Sequence, residues 1–306
     1  MNINNIILVE IIKEAKRMKG KINIITDSCS SLTKEECENR KIAYVETSYM
    51  LDDENCTAFE NPDESLLDFY ARLDVVKSCS TGCVNVVAFE ECFDKIASKG
   101  EYGIYTGLSG ALSATYSNAV TAAKNINEKY GKEYIRTVNS RTGSIGVQIL
   151  IDDAEELINA GKNIDEVQEI LEGYASKLES TFICRDLKFL CKCGRLSTLE
   201  ATIGKLLKIV PLIHVDPKDD KLRVSDKCLG KKLAYKTLKN KFVKLINERP
   251  CEKVYFASCG LDEDVEELKS HIVANTHIKA EEIKVCNIDK TMSCCCGPKT
   301  IAIFVR

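Results

Sequence analysis

Short runs of apolar, β-branched residues alternate with helical repeats of apolar positions along the first half of the chain. Runs that are typical of strands lie at residues 21–26, 42–46, 102–106 and 134–138. Several of the segments between them have the period of amphipathic helices. This alternation predicts an α/β domain over about residues 21–170, built on a doubly wound, mostly parallel sheet. Such sheets bind ligands at the carboxyl ends of their strands.

Two helix starts are indicated by local capping signals. Thr33 has Glu36 three residues later, which is the pattern of a capping box. Asn61 is followed by Pro62, which combines a cap residue with a proline at the first helical position. We therefore predict that helices begin at these two places.

The second half of the chain has more strands, several of them joined by short turns. We predict helices at residues 164–178, 198–207, 230–248 and 263–275, and strands at residues 181–184, 209–215, 222–224, 254–258, 283–287 and 300–305. Short turns between strands favour antiparallel pairing. Residues 171–306 are therefore expected to form a second α/β domain with a mixed sheet, and residues 1–20 an N-terminal helical extension.

Charge and composition narrow the possible function classes. The 306 residues include 43 basic and 46 acidic residues, and the formal net charge of -3 argues against nucleic acid as a partner. No apolar run reaches the length of a transmembrane segment. In residues 1–20 the basic residues follow the apolar part, the reverse of a signal peptide, so a cytoplasmic protein is expected. The 16 cysteines are then expected to be reduced thiols.

Three consecutive cysteines, Cys294, Cys295 and Cys296, raise the question of a metal site. Structural zinc sites use pairs spaced as Cys-x-x-Cys, and that spacing does not occur in this sequence. We therefore expect neither a metal nor another cofactor.

The most informative segment runs from Ile104 to Tyr116, where a strand leads into a turn rich in serine and glycine and then into a helix. Its N–H groups and hydroxyls suit a carboxylate or a developing oxyanion. One interpretation is a serine hydrolase of the esterase or lipase type, because residues 107–111 approximate the Gly-x-Ser-x-Gly elbow with Ser109 as nucleophile. The candidates for its base are His214, His271 and His277.

Four segments favour a different interpretation. They are Thr26-Asp27-Ser28, the run from Ser109 to Ala119, Val138-Asn139-Ser140, and Asp186 to Leu190 ahead of Gly194-Arg195-Leu196-Ser197. In order and spacing they resemble the DegV family of bacterial fatty-acid-binding proteins. Members of that family have Thr-Asp-Ser, Ser-Ser-x-Leu-Ser-Gly-Thr-Tyr, Asp-Ser, and Asp-Leu-x-x-Leu with Gly-Arg-Ile-Ser. The resemblance covers about residues 21–306.

The resemblance implies a two-domain α/β protein that holds one long-chain fatty acid in a buried tunnel, with the carboxylate near the domain junction. It implies a carrier rather than an enzyme, which in some bacteria presents the acid to a separate fatty acid kinase. In the family, a Thr and a Ser meet the carboxylate. Alignment on Phe89 and Phe93 assigns the Thr role to Thr81. Ser109 matches the first Ser of the Ser-Ser pair, and Gly110 replaces the second.

The resemblance also implies a supporting head-group site made of Thr26, Asp27, Ser28, Gly110, Arg195 and Cys295. At the last of these positions the family has the His of His-x-Gly-Pro-Gly, whereas this chain has Cys295. A thiol is a weak donor, and a thiolate would repel a bound carboxylate. A different head group therefore remains an alternative.

Burial of an acyl chain would dominate the affinity for such a ligand. About 0.8 kcal/mol per methylene gives roughly 11 kcal/mol for ~14 methylenes, before ordering costs are subtracted. A hydroxyl contact to the head group contributes only about 1 to 3 kcal/mol. We expect the tail to set affinity and the hydroxyls of Thr81 and Ser109 to set orientation.

Overall fold

The computed structural model describes residues 20–195 and 209–306. Its strands are β1 (Ile22–Asp27), β2 (Ala43–Val45), β3 (Ser48–Leu51), β4 (Glu54–Thr57), β5 (Cys79–Gly82), β6 (Tyr102–Gly107), β7 (Ile135–Asn139), β8 (Glu179–Ile183), β9 (Ile209–Val215), β10 (Leu222–Leu229), β11 (Val254–Ser258), β12 (Ile283–Asn287) and β13 (Ile301–Val305). Its α-helices are α1 (Lys34–Arg40), α2 (Leu66–Val75), α3 (Val86–Ala97), α4 (Thr115–Tyr130), α5 (Ile145–Asn159), α6 (Ile164–Ala175), α7 (Lys188–Lys192), α8 (Lys231–Glu248), α9 (Asp262–Asn275) and α10 (Lys290–Cys296).

A four-stranded parallel sheet organises the first half, with the strand order β2-β1-β6-β7. Alternate residues of β1 point to opposite faces, as the pleat requires. Ile25 packs in a core with Phe89 and Phe93 of α3, whereas Ile24 packs in a second core with Ile151 of α5. Helices therefore cover both faces of the sheet, and the predicted doubly wound parallel arrangement is confirmed.

A six-stranded mixed sheet organises the second half, with the order β10-β9-β8-β13-β11-β12. Only the β11–β12 pair is parallel among the ladders of this sheet in the described residues. One face is covered by α8 and α9, where Phe242 and Leu268 are wholly buried. The other face packs against α2, α5, α7 and α10. The predicted mixed sheet is confirmed.

A small antiparallel sheet, with the order β4-β3-β5, was not predicted from the sequence. Each of its strands has only four residues, which is too short for a clear alternation of apolar and polar positions. Tyr49 of β3 packs edge-on against Phe69 of α2, with 5.3 Å between the ring centroids. Both rings belong to the core that also holds Phe304 of the mixed sheet. The small sheet is thus fixed between the two halves.

The two predicted helix starts have different outcomes. The capping box at Thr33 is present, with Glu36 N–H donating to Thr33 Oγ1 over 3.1 Å. The prediction of a start at Asn61 was wrong, because α2 begins at Leu66 with Ser65 as its cap. Asn61 adopts a φ of 58°, a left-handed conformation that asparagine tolerates and that suits a turn rather than a helix cap.

Some sequence predictions fall on residues that the structure does not describe. The proposed N-terminal extension, apart from Gly20, and the predicted helix at 198–207 lie outside the described residues. None of the helices in the described part of the chain is both long and apolar enough to span a membrane. The proposed division of the chain near residue 170 stays a prediction. Ile145 and Ile149 of α5, which precede that point, pack in one core with residues of the mixed sheet.

Candidate functional site

A cavity of about 250 Å³ lies between the inner face of the mixed sheet and elements of the first half. Its walls are largely apolar. The apolar lining residues are Leu108, Leu112, Ala114, Phe182, Leu190, Val215, Leu222, Ile288, Met292, Ala302 and Phe304. The lining side chains with a hydroxyl, a thiol or a charge are Cys29, Thr47, Thr81, Cys83, Ser113, Thr142, Ser144, Ser180, Thr291, Arg195, Cys295, Cys296 and Thr300. The arrangement suits a molecule with a long apolar part and a small polar end.

The pleat of β8 and β13 forms the floor of this cavity. Phe182 pairs with Ala302, and Ser180 pairs with Phe304, and all four residues line the cavity. Ile303, the residue between the two lining positions of β13, packs on the opposite face of the sheet with α8 and α9. Because side chains alternate between the two faces of a strand, one face of β13 lines the cavity and the other packs in the core beneath α8 and α9.

Thr81 and Cys295 come together at one rim of the cavity. Thr81 lies on β5, opposite Tyr49 of β3, and is exposed. Cys295 lies near the end of α10, and its Sγ is 3.6 Å from Thr81 Oγ1. Two elements from different halves therefore place a hydroxyl and a thiol side by side at the cavity entrance.

Three neighbours favour the thiolate form of Cys295. A hydrogen bond from the Cys193 side chain is the largest cause that lowers its pKa, and Thr81 and the Arg195 guanidinium lower it further. Burial opposes this shift, but the pKa of Cys295 remains below its usual value. The same hydrogen bond to Cys295 is the largest cause that raises the pKa of Cys193 well above the usual range, so Cys193 keeps its proton.

Arg195 also lines this rim, and its supporting role stays a prediction. Its Nε donates to the carbonyl of Leu112 over 2.6 Å, and its Nη1 donates to the carbonyl of Cys193 over 3.0 Å. The guanidinium bridges the Ser109 turn and the end of α7. Its side chain is exposed, so it adds a positive charge at the cavity entrance.

Asp27 organises the turn after β6 rather than lining the cavity. Its Oδ2 accepts hydrogen bonds from Tyr105 Oη over 2.7 Å and from Leu108 N–H over 2.9 Å. Its Oδ1 accepts from Cys29 N–H over 2.9 Å. Burial raises the pKa of Asp27, although these donors act in the opposite direction. A Cβ on Gly107 would lie 2.2 Å from Asp27 Oδ2, so this close approach requires glycine.

Ser28 reaches the cavity through a chain of hydroxyls. Ser28 Oγ and Thr47 Oγ1 are 2.7 Å apart, and Thr47 Oγ1 is 2.8 Å from Thr291 Oγ1. Thr47 and Thr291 line the cavity, and Ser28 lies behind them. Thr26 is also buried and is not a lining residue; its hydroxyl is 3.4 Å from the carbonyl of Asp27.

A second buried carboxyl group, Asp289, caps α10. Its Oδ1 accepts from Met292 N–H over 2.8 Å, and its Oδ2 accepts from Ser31 Oγ over 3.2 Å. Burial raises the pKa of Asp289 to about 7 in spite of these hydrogen bonds. The cap thus holds the helix that carries Thr291, Met292 and Cys295.

Ser109 and Gly110 lie beside the cavity but are not among its lining residues. Ser109 is wholly buried; its N–H donates to the carbonyl of Thr142 over 2.8 Å, and its Oγ accepts from Ala111 N–H over 3.3 Å. Gly110 is exposed, and its N–H donates to Asn139 Oδ1 over 3.3 Å. In this structure Ser109 holds the turn, and its contact with a carboxylate stays a prediction.

The geometry around Ser109 does not support the hydrolase interpretation. In a nucleophile elbow the helix follows the serine directly, whereas α4 begins at Thr115, six positions later. The hydroxyl of Ser109 is enclosed, and no hydrogen bond joins it to a histidine within residues 20–195 and 209–306. A hydrolytic nucleophile needs both exposure to substrate and a base.

Several site residues were not assigned from the sequence. Thr47, Thr142, Ser144 and Thr291 line the cavity although no motif distinguishes them. Ser113 lies in the Ser109 run, and its position at the cavity could have been expected from that motif. Cys193 had no such signal, because its partner Cys295 is distant in sequence. Among the described residues no group of three or more histidine, cysteine, aspartate or glutamate side chains is arranged to hold a metal ion.

Comparison with known sequences gives a match over nearly the whole chain. The protein-family model described as "Uncharacterised protein, DegV family" matches residues 21–306. A DegV domain-containing protein from Clostridium perfringens is 30% identical over 286 residues, which cover 93% of this chain and 97% of that relative.

Two solved structures have the same fold. A DegV family protein from Ruminococcus gnavus, refined with vaccenic acid, matches with a TM-score of 0.81 and 20% identity, over 92% of this chain and 99% of that one. A DegV family protein from Thermus thermophilus, whose structure describes fatty acid binding, matches with a TM-score of 0.79 and 20% identity, over 93% of this chain and 99% of that one.

Proposed function

The chain belongs to the DegV family, and from that premise we propose that it binds one long-chain fatty acid, with the acyl chain in the cavity and the carboxylate at the rim that holds Thr81. The observation that carries the proposal is an apolar cavity with hydroxyls, an arginine and a thiol at its entrance. The fatty acids associated with the Ruminococcus gnavus and Thermus thermophilus proteins support the same ligand class.

The apolar walls supply the main part of the binding free energy in this proposal. Phe182, Phe304 and Leu190 are buried or half-buried side chains that an acyl chain would cover further. Each methylene that leaves water contributes about 0.8 kcal/mol. Affinity is therefore expected to rise with chain length until the cavity is filled.

The rim supplies orientation. Thr81 presents a hydroxyl that can donate to a carboxylate oxygen, and Arg195 supplies a positive charge. Cys295 is the unfavourable partner when it is a thiolate, because two negative charges repel. Ser109 is proposed to support the carboxylate site, either by contacting the acid after a small shift of its turn or by fixing that turn.

We propose a carrier rather than a catalyst. The proposed partner is a fatty acid kinase. The protein would present the bound acid to this kinase, which would phosphorylate the carboxylate. Cys295 occupies the position of the histidine in the family pattern, so the kinase step has its own test. The loaded protein is mixed with a fatty acid kinase and ATP, and acyl phosphate is trapped with hydroxylamine. Absence of the trapped product would exclude presentation to that kinase and leave lipid binding intact.

The direct test of lipid binding is extraction of the purified protein. Protein isolated without detergent is extracted with organic solvent, and the extract is analysed by mass spectrometry; a long-chain fatty acid near one per chain is expected. The delipidated protein should take up palmitate or oleate in a calorimetric titration. No lipid in the extract and no heat of binding would refute the proposal.

A variant that fills part of the cavity tests whether the acid binds there. Ala302→Leu adds side-chain volume inside the cavity and is expected to lower the amount of extracted fatty acid. Ala160→Leu adds the same volume at an exposed position after α5 and is the matched control. Equal fatty acid content in both folded variants would place the ligand outside this cavity.

A further inference from the structure

Two thiols lie close together on elements that are far apart in sequence, and one of them, Cys295, lines the cavity. Cys193 is the C-cap of α7, and Cys295 lies on α10, which packs against that helix. Cys193 Sγ lies 3.5 Å from the carbonyl of Cys294, the residue before Cys295, and the two thiols are close enough to shift each other's pKa. Both cysteines are free and partly buried.

The two sulfurs have different surroundings, which shift their pKa values in opposite directions. Cys295 has the Thr81 hydroxyl and the Arg195 guanidinium beside it, and its pKa is lowered. Cys193 is the proton donor of the pair, and its pKa is raised. A cysteine whose pKa is lowered, beside a second cysteine that keeps its proton, is the arrangement of a reactive cysteine and its resolving partner.

We propose that Cys295 and Cys193 form a peroxide-sensitive modification site, in which Cys295 is oxidised and Cys193 then closes a disulfide at the rim of the cavity. Oxidation of Cys295 is expected to change the proposed head-group site, because the same sulfur contacts Thr81. The effect of fatty acid on the reaction rests on the proposed function, whereas the disulfide itself rests only on the two thiols.

The reaction is a two-electron oxidation by a hydroperoxide. The Cys295 thiolate attacks a peroxide oxygen, so that a sulfur–oxygen bond forms, the oxygen–oxygen bond breaks, and the departing hydroxide takes up a proton to leave as water. Cys193 sulfur then attacks the sulfenic sulfur of Cys295. The sulfur–sulfur bond forms, the sulfur–oxygen bond breaks, and the leaving hydroxide accepts the Cys193 proton as a second water.

A second thiol pair in the same protein provides an internal comparison. Cys259 and Cys296 are also neighbours, but both are buried, and burial raises the pKa of Cys259 well above its usual value. A thiol whose pKa is raised by burial is a poor nucleophile, and burial also hinders the approach of peroxide. Peroxide is therefore expected to oxidise the Cys193–Cys295 pair and to leave the Cys259–Cys296 pair reduced.

A bound fatty acid should protect the reactive thiol. A carboxylate at Thr81 would lie next to Cys295, where its charge disfavours the thiolate and its atoms block the approach of peroxide. The rate of disulfide formation is therefore expected to fall when the delipidated protein is saturated with a long-chain fatty acid.

The test uses the reduced, delipidated full chain and hydrogen peroxide. Intact mass spectrometry is expected to show a loss of about 2 Da, and peptide mapping after alkylation to show Cys193 linked to Cys295. Cys295→Ser should abolish this link. Cys193→Ser should leave a sulfenic acid on Cys295 that dimedone traps. Cys83→Ser, which removes an exposed thiol from the same rim, should leave the link unchanged.

The outcomes separate this proposal from the proposed function. Preferential oxidation of another cysteine pair, or no dimedone adduct on Cys295 in Cys193→Ser, would overturn the modification site even if the reduced protein binds fatty acid. Disulfide formation in a protein that binds no fatty acid would support the thiol pair and refute the lipid proposal. Equal oxidation rates with and without bound fatty acid would overturn the protective effect.

Discussion

Thr81 and Cys295 lie side by side at the cavity rim, with 3.6 Å between Oγ1 and Sγ, although 214 positions separate them in the sequence. The small antiparallel sheet brings one of them, and the last helix of the second half brings the other. The proposed head-group site is thus made by the contact between the halves.

Removal of the Thr81 hydroxyl should weaken fatty acid binding. Thr81→Val keeps the shape of the side chain and removes the donor, at an expected cost of about 1–3 kcal/mol, or roughly 5- to 150-fold in Kd. Ser80→Ala removes the neighbouring hydroxyl on the same strand and serves as the control. Calorimetric titration of the delipidated variants gives both values. Equal Kd values for the two variants would show that Thr81 does not bind the carboxylate.

Ser109→Ala should affect stability more than affinity. The buried hydroxyl accepts the N–H of Ala111 inside the turn, and its loss leaves that donor unpaired. We expect the free energy of unfolding to fall by about 1 kcal/mol and the Kd for fatty acid to rise less than in Thr81→Val. Urea unfolding and titration measure the two effects. A larger loss of affinity than in Thr81→Val, at unchanged stability, would instead show direct contact with the carboxylate.

Gly107→Ala should destabilise the fold. The added Cβ would lie 2.2 Å from Asp27 Oδ2 and 2.3 Å from Tyr105 Oη, so the buried hydrogen bond between those groups would have to shift. The expected loss is about 1–3 kcal/mol or more. Gly173→Ala, in the exposed part of α6 with no atom near its Cβ, should gain about 0.5–1 kcal/mol. Similar midpoints of urea unfolding for both variants would contradict this account.

Asp289 should make stability fall as pH rises through the weakly acidic range. Its pKa is raised from 3.8 to about 7 in the folded protein. Between about pH 4 and pH 7 the folded state therefore binds more protons than the unfolded state, and the free energy of unfolding decreases with pH by at most about 1.4 kcal/mol per unit for this group. Above pH 7 its contribution is constant.

Asp289→Asn isolates this effect from that of Asp27, whose pKa is also raised. The asparagine oxygen can still accept the N–H of Met292, so the cap is kept. We expect the stability of the variant, relative to the parent, to rise between about pH 4 and pH 7. A constant difference over that range, measured by urea unfolding, would show that Asp289 is not protonated in the folded protein near neutral pH.

The sequence by itself determined the types of most elements and the family. Periodicity is a local property, so the runs at β1, β6 and β7 and the capping box at Thr33 could be identified without a structure. Local signals were ambiguous where several turn residues follow one another. For that reason α2 was predicted to start at Asn61, whereas it begins at Leu66.

The tertiary structure decided which side chains meet. It placed Thr81 in an unpredicted sheet, put Ser109 behind the cavity wall, and brought Cys193 against the backbone of Cys294, next to Cys295. Such contacts depend on the packing of whole elements, because a buried position is created by neighbours that come from distant parts of the chain. No local pattern of apolar and polar residues records that packing, so the cavity and its thiol pair could be found only in the folded protein.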